Sequence, residues 1–165
     1  MNYSDTRPKI KSGDVLAWTH RSWGTWYDFQ VQMVRFFTQS EYSHVGVAYT
    51  LGDRVFVLES VGSGIRMFPL SQAGSFYWLS LDTKWTDDTL NAAMSKIGQT
   101  YSKWDGIRSL FVKLKPGADG KWECAEYTSF ILQNAGIDID CRNVPSEVIY
   151  WLQENENCVM TMVKN

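Results

Sequence analysis

The chain has 165 residues, 44% of them hydrophobic and 15% aromatic with eight Trp, which supplies a packed core and excludes the disordered and fibrous classes. Sixteen Lys and Arg against 18 Asp and Glu leave a formal charge of -2, which excludes a long-range field that would gather nucleic acid or anionic lipid. The length fits one domain, residues 1–165, able to bury roughly two thirds of the surface its unfolded form exposes.

The opening residues, MNYSDTRPKI, lack the basic and then apolar run of a signal peptide. No stretch approaches the roughly 18 apolar residues of a membrane span. The expectation is a soluble, cytoplasmic protein with no transmembrane segment. Ser12-Gly13-Asp14 reads as a turn ahead of a strand over 15–18. Thr25-Trp26-Tyr27-Asp28 has the capping-box spacing, and apolar residues at 26, 29, 33, 36 and 37 predict a helix over 26–38. Four strand-like runs follow, 44–50, 55–60, 65–70 and 76–81, separated by Gly52-Asp53, Gly62-Ser63-Gly64 and Ala73-Gly74. Connections this short predict an antiparallel meander.

Asp87 or Asp88 can cap a helix running through Met94 and Ile97 and ending near Gly98. The turn-rich KLKPGADGKWE then leads into CAEYTSFILQNAG, a helix over 124–134 with Gly136 as its stop. Pro145-Ser146-Glu147 opens a last helix through Leu152, and 159–163 adds a last strand. Strands grouped in the middle with helices on either side make the fold class α+β. Cys124, Cys141 and Cys158 lie far apart without a C-x-x-C, so neither a disulfide framework nor a zinc knuckle is indicated, and a reducing compartment is the plainer reading.

Side chains alternate along a strand, which sets His44, Gly46 and Ala48 on one face and Val45, Val47 and Tyr49 on the other. The histidine face is nearly bare, and such a face admits the close approach of a helix N-terminus carrying a reactive group. A two- or four-residue loop at Gly52-Asp53 pairs Glu59 with Gly46 and so puts the carboxylate on the His44 side. A three-residue loop would turn it away. Cys124 stands at a helix start, where unpaired N–H groups and the helix dipole favour a thiolate. Each of the three has a plainer reading alone: a structural histidine, an exposed strand-end acid, and a small buried hydrophobe beside Tyr127, Thr128 and Ile131. Together they make a nucleophile, a general base and an orienting group.

SGDVLAW, YSHVGVAY, VFVLESVGSGIRMFPL, IGQTYSKW and WECAEYTSFILQNAGI together resemble the permuted branch of the NlpC superfamily of papain-like cysteine hydrolases. That branch includes the YiiX-like group and the lecithin retinol acyltransferase relatives. The order in this branch is histidine, polar residue, cysteine, as here, and the resemblance runs from about Ser12 to Leu152. It implies a papain-like core, a small antiparallel sheet packed against the cysteine helix, with Cys124 as nucleophile, His44 as base and Glu59 as orienting residue. Tyr101 stands where relatives carry the tyrosine of a G-x-P-Y motif, although Gln99-Thr100 replaces the usual small residue and proline. That makes Tyr101 a candidate for stabilising the oxyanion with the Cys124 backbone N–H.

The resemblance implies acyl transfer through a thioester, with no cofactor and no metal. The substrate is either an amide of peptides, cell-wall peptides first among them, or a lipid-like acyl ester or amide. Two other readings stay open. His44, Glu59 and Cys124 are each possible zinc ligands, though they come singly from distant segments. A non-catalytic binding module could use the crowding of Trp18, Trp23, Trp26, Phe29, Phe36 and Phe37 as a groove. His20, in WTHRSW, is assigned no role.

Overall fold

The computed structural model describes residues 1–19, 41–100, 122–156 and 158–165. Strand β1 (Val15–Trp18) is buried along its whole length, so the backbone groups on both its edges need partners within the protein. β2 (His44–Leu51) pairs with one edge and β5 (Phe76–Ser80) with the other. β3 (Arg54–Val61) and β4 (Gly64–Pro69) extend the sheet beyond β2, and β6 (Val159–Val163) extends it beyond β5. The sheet is antiparallel throughout, in the order β4-β3-β2-β1-β5-β6.

The expected four-strand meander therefore holds for β2, β3 and β4 and fails for β5. After β4 a 3-10 turn, Leu70–Gln72, drops the fully buried Leu70 onto the sheet, and the chain crosses to the open edge of β1. Had β5 paired beside β4, that edge of β1 would have been buried without partners, a cost larger than the longer connection. The β2–β3 turn is the two residues Gly52, at φ +61, and Asp53. Its ladder runs from Leu51↔Arg54 to Val47↔Leu58, and one further step brings Glu59 beside Gly46.

Helix α1 (Tyr3–Thr6) precedes the sheet; at four residues it is too short to show a helical period in the sequence. α2 (Asp87–Met94), α3 (Cys124–Asn134) and α4 (Pro145–Asn155) follow. α2 is capped by Thr86, whose Oγ1 accepts from the Thr89 N–H at 3.2 Å. Asp87 and Asp88, the expected caps, occupy the first turn instead, where their charges favour the helix dipole. The same helix stops at Met94, short of Ile97.

The three longer helices share one face of the sheet. Val45, Val47 and Leu58 meet Ala125, Tyr127 and Ile131 of α3, with Ala93 of α2 and Ile149 of α4 in the same buried layers. On the other face Leu16, Ala48 and Val57 pack with Leu70, Phe76 and Ile10. The arrangement is α+β, with four helices and six strands among the described residues. No helix of those residues is long and apolar enough to cross a membrane. The helix expected over 26–38 lies outside the described residues, as do His20, Tyr101 and most of the aromatic cluster; only Trp18 of that cluster is described.

Candidate active site

The site begins with the way α3 is delivered to the sheet. Gly64 takes φ +111, and a Cβ there would sit 2.6 Å from the Gln99 carbonyl oxygen, so glycine lets residues 98–99 lie against the start of β4. Ile65 N–H donates to the Gln99 carbonyl and Gly98 N–H to the Ile65 carbonyl, both at 2.9 Å. Trp122, two residues before Cys124, is held on this ledge at three points. Its backbone N–H donates to the Thr100 carbonyl at 3.2 Å, its indole N–H to Gln99 Oε1 at 2.6 Å, and its carbonyl accepts from Ser60 Oγ at 2.8 Å. Ser60 neighbours Glu59, so the first turn of α3 and the carboxylate are fixed to one stretch of β3. Glu126 closes the turn by accepting from the Glu123 N–H at 3.2 Å, an N-terminal lock on the helix.

His44 is the first residue of β2 and Glu59 the sixth of β3, and the two side chains meet across the ladder. Glu59 Oε2 lies 2.6 Å from His44 Nε2 in a pocket that leaves the two side chains 1% and 8% exposed. Gly46 makes the approach possible. A Cβ at that position would stand 2.6 Å from Val57 Cγ2, 2.9 Å from the Leu58 carbonyl oxygen and 3.3 Å from Glu59 Cβ. The second carboxylate oxygen, Oε1, accepts from Arg66 Nε at 2.8 Å and Nη2 at 2.6 Å. On the far side the Trp18 ring lies 5.4 Å from the imidazole, centroid to centroid.

Cys124 completes the group: its thiol acts on the His44 ring and is among the causes that raise the histidine's pKa. With Nε2 engaged by Glu59, Nδ1 is the nitrogen left for the sulfur. Burial by itself pushes the imidazole towards its neutral form. The hydrogen bonds and charges of Cys124 and Glu59 push the other way and prevail, raising the His44 pKa from 6.5 to about 9. The ring therefore holds its proton at neutral pH, beside a sulfur at a helix N-terminus.

One expectation is corrected. The bare His44, Gly46, Ala48 face does not receive α3; the helix lies on the opposite face, against Val45 and Val47, where it finds apolar side chains to pack on. The room at Gly46 is filled from the neighbouring strand by Val57 and Glu59. Of the four residues singled out in the sequence, the structure brings Cys124, His44 and Glu59 together, and Tyr101 falls outside the described residues. Arg66 was not singled out. Its signal was the Gly62-Ser63 turn, whose two-residue form sets Arg66 directly opposite Glu59.

No protein-family model matches the sequence, and no curated protein matches it. Among solved structures the chain is similar to the metalloprotein yiiX from Escherichia coli O157:H7, DUF1105. The TM-score is 0.56 over 94% of this chain and 98% of that one, at 20% sequence identity. The likeness is one of fold.

Proposed function

We propose that residues 1–165 form a permuted NlpC-type, papain-like domain that hydrolyses amide bonds by acyl transfer, with peptides, cell-wall peptides first among them, as substrate. The observation that carries the reading is the buried imidazole of His44, 2.6 Å from the carboxylate of Glu59 and with its pKa raised by both Glu59 and Cys124. A sulfur at a helix N-terminus beside a protonated imidazole is a nucleophile with its general acid in place. Cys124 sulfur attacks the carbonyl carbon, and the C–N bond breaks as His44 gives its proton to the departing amine. Water then attacks the thioester, losing a proton to His44, and the C–S bond breaks to release the acid and restore the starting pair of sulfur anion and protonated imidazole. Glu59 keeps the ring turned for both transfers, and the Cys124 backbone N–H stabilises the oxyanion.

The similar yiiX is described as a metalloprotein. Among the described residues of this chain no group of three or more His, Cys, Asp or Glu is placed to hold a metal ion. The two oxygens of Glu59 are engaged by His44 and Arg66. Among the described residues the donor set does not fit a metal.

Intact-protein mass spectrometry after exposure to cell-wall peptide fragments and, separately, to lipid esters tests the reading. The expected result is an acyl adduct from the peptide fragments, absent in Cys124→Ala, whose turnover falls by at least about a thousandfold while its fold survives. An adduct from lipid esters alone would overturn the substrate, and undiminished turnover in Cys124→Ala would overturn the mechanism.

A further inference from the structure

Glu59 divides its two oxygens between two cations. Oε2 faces the His44 ring, while Oε1 takes both bonds from Arg66, which stands directly opposite Glu59 in the β3–β4 ladder. The carboxylate is 1% exposed and the guanidinium 35%, so the buried acid is tied to a charge that stays in contact with water. The guanidinium also lies over the Phe68 ring at 4.4 Å, which fixes its plane and hence the direction of both N–H groups. Trp18, His44, Glu59 and Arg66 thus form one row across β1, β2, β3 and β4, on the face away from α3, and Cys124 touches that row at His44.

We propose that Arg66 is a positioning residue of this site: its guanidinium holds the Glu59 carboxylate charged and aimed at His44, so that a side chain on β4 governs the nucleophile on α3. A carboxylate buried among apolar strands is expensive to keep ionised, and without a second cation it would take up a proton at a higher pH and release its hold on the imidazolium. A two-bond grip on one oxygen also removes the rotation that would let the other swing away from the ring. Among the described residues, the titratable and charged groups facing this row include His44 from β2, Arg66 from β4 and Cys124 from α3, with Glu123 and Glu126 flanking Cys124 on its helix. The inference rests on the reading of Cys124 as the nucleophile, and its test keeps the two apart.

The test is the pH profile of iodoacetamide alkylation of Cys124, mapped by mass spectrometry, in the wild type, Arg66→Met, Glu59→Gln and the double variant. Arg66→Met is expected to slow alkylation at pH 6 about tenfold and to move the acid limb of the profile to higher pH. In the Glu59→Gln background the same substitution is expected to cause no further loss. Should Arg66→Met not fold, Arg66→Gln takes its place with the same criteria. A profile that superimposes on the wild type, or an equal loss with and without the Glu59 carboxylate, would overturn the proposal while Cys124 stays reactive. A wild-type Cys124 that is itself inert would instead overturn the reading of the site.

Discussion

At the scale of the residue, the question is why a histidine sealed from water should be charged. Burial opposes it, and only the partners on its two nitrogens reverse the sign, lifting the pKa from 6.5 to about 9. The chain contains two histidines, so a titration followed by NMR of protein labelled with nitrogen-15 in histidine can resolve this ring. His44 is expected to keep its proton through neutral pH and lose it near 9, and Glu59→Gln is expected to lower that midpoint. A buried ring that titrates at or below 6.5 would show that desolvation has prevailed and that the carboxylate does not hold it. The carboxylate's own place was legible in the sequence. Gly52-Asp53 suits a two-residue turn, and that turn alone decides which way Glu59 faces.

At the scale of the element, Gly46 is the position where strand geometry and site geometry meet. A methyl group there meets the stiff, buried Val57 at 2.6 Å and a backbone oxygen at 2.9 Å, neither of which can yield cheaply. Gly46→Ala is expected to cost about 1–3 kcal/mol of stability in urea unfolding and to push β3 outward, weakening the His44–Glu59 contact. Unchanged stability would mean that β2 and β3 adjust freely and that the small residue is incidental. The bounds of β1, α3 and β6 could be read in advance because turn residues and a helix-stopping glycine mark them. Which face of β2 receives α3 could not. Alternation divides side chains into two sets, but the helix that covers one of them begins about eighty residues further on, at Cys124 against His44. The crossing of β5 to β1 was hidden for the same reason, since it answers a demand of β1's backbone rather than any local signal.

At the scale of the whole molecule, the site exists only because three distant segments are brought to one place: the start of β2, the end of β3 and the first turn of α3. The Trp122 ledge matters here, since it ties the beginning of the cysteine helix to β3 beside Glu59. The three cysteines are free thiols, and Cys124 is the buried one, while Cys141 and Cys158 are partly exposed. Exposure alone would therefore make Cys124 the slowest to react, whereas a histidine-paired thiol at a helix N-terminus should be the fastest. The most direct measurement is the rate of iodoacetamide labelling at each cysteine at pH 6, folded and in denaturant. Cys124 is expected to label at least about tenfold faster than the other two in the folded protein, with the advantage gone in His44→Ala and in denaturant. A folded protein whose Cys124 labels no faster than Cys141 and Cys158 would contradict the reading of Cys124 as the nucleophile.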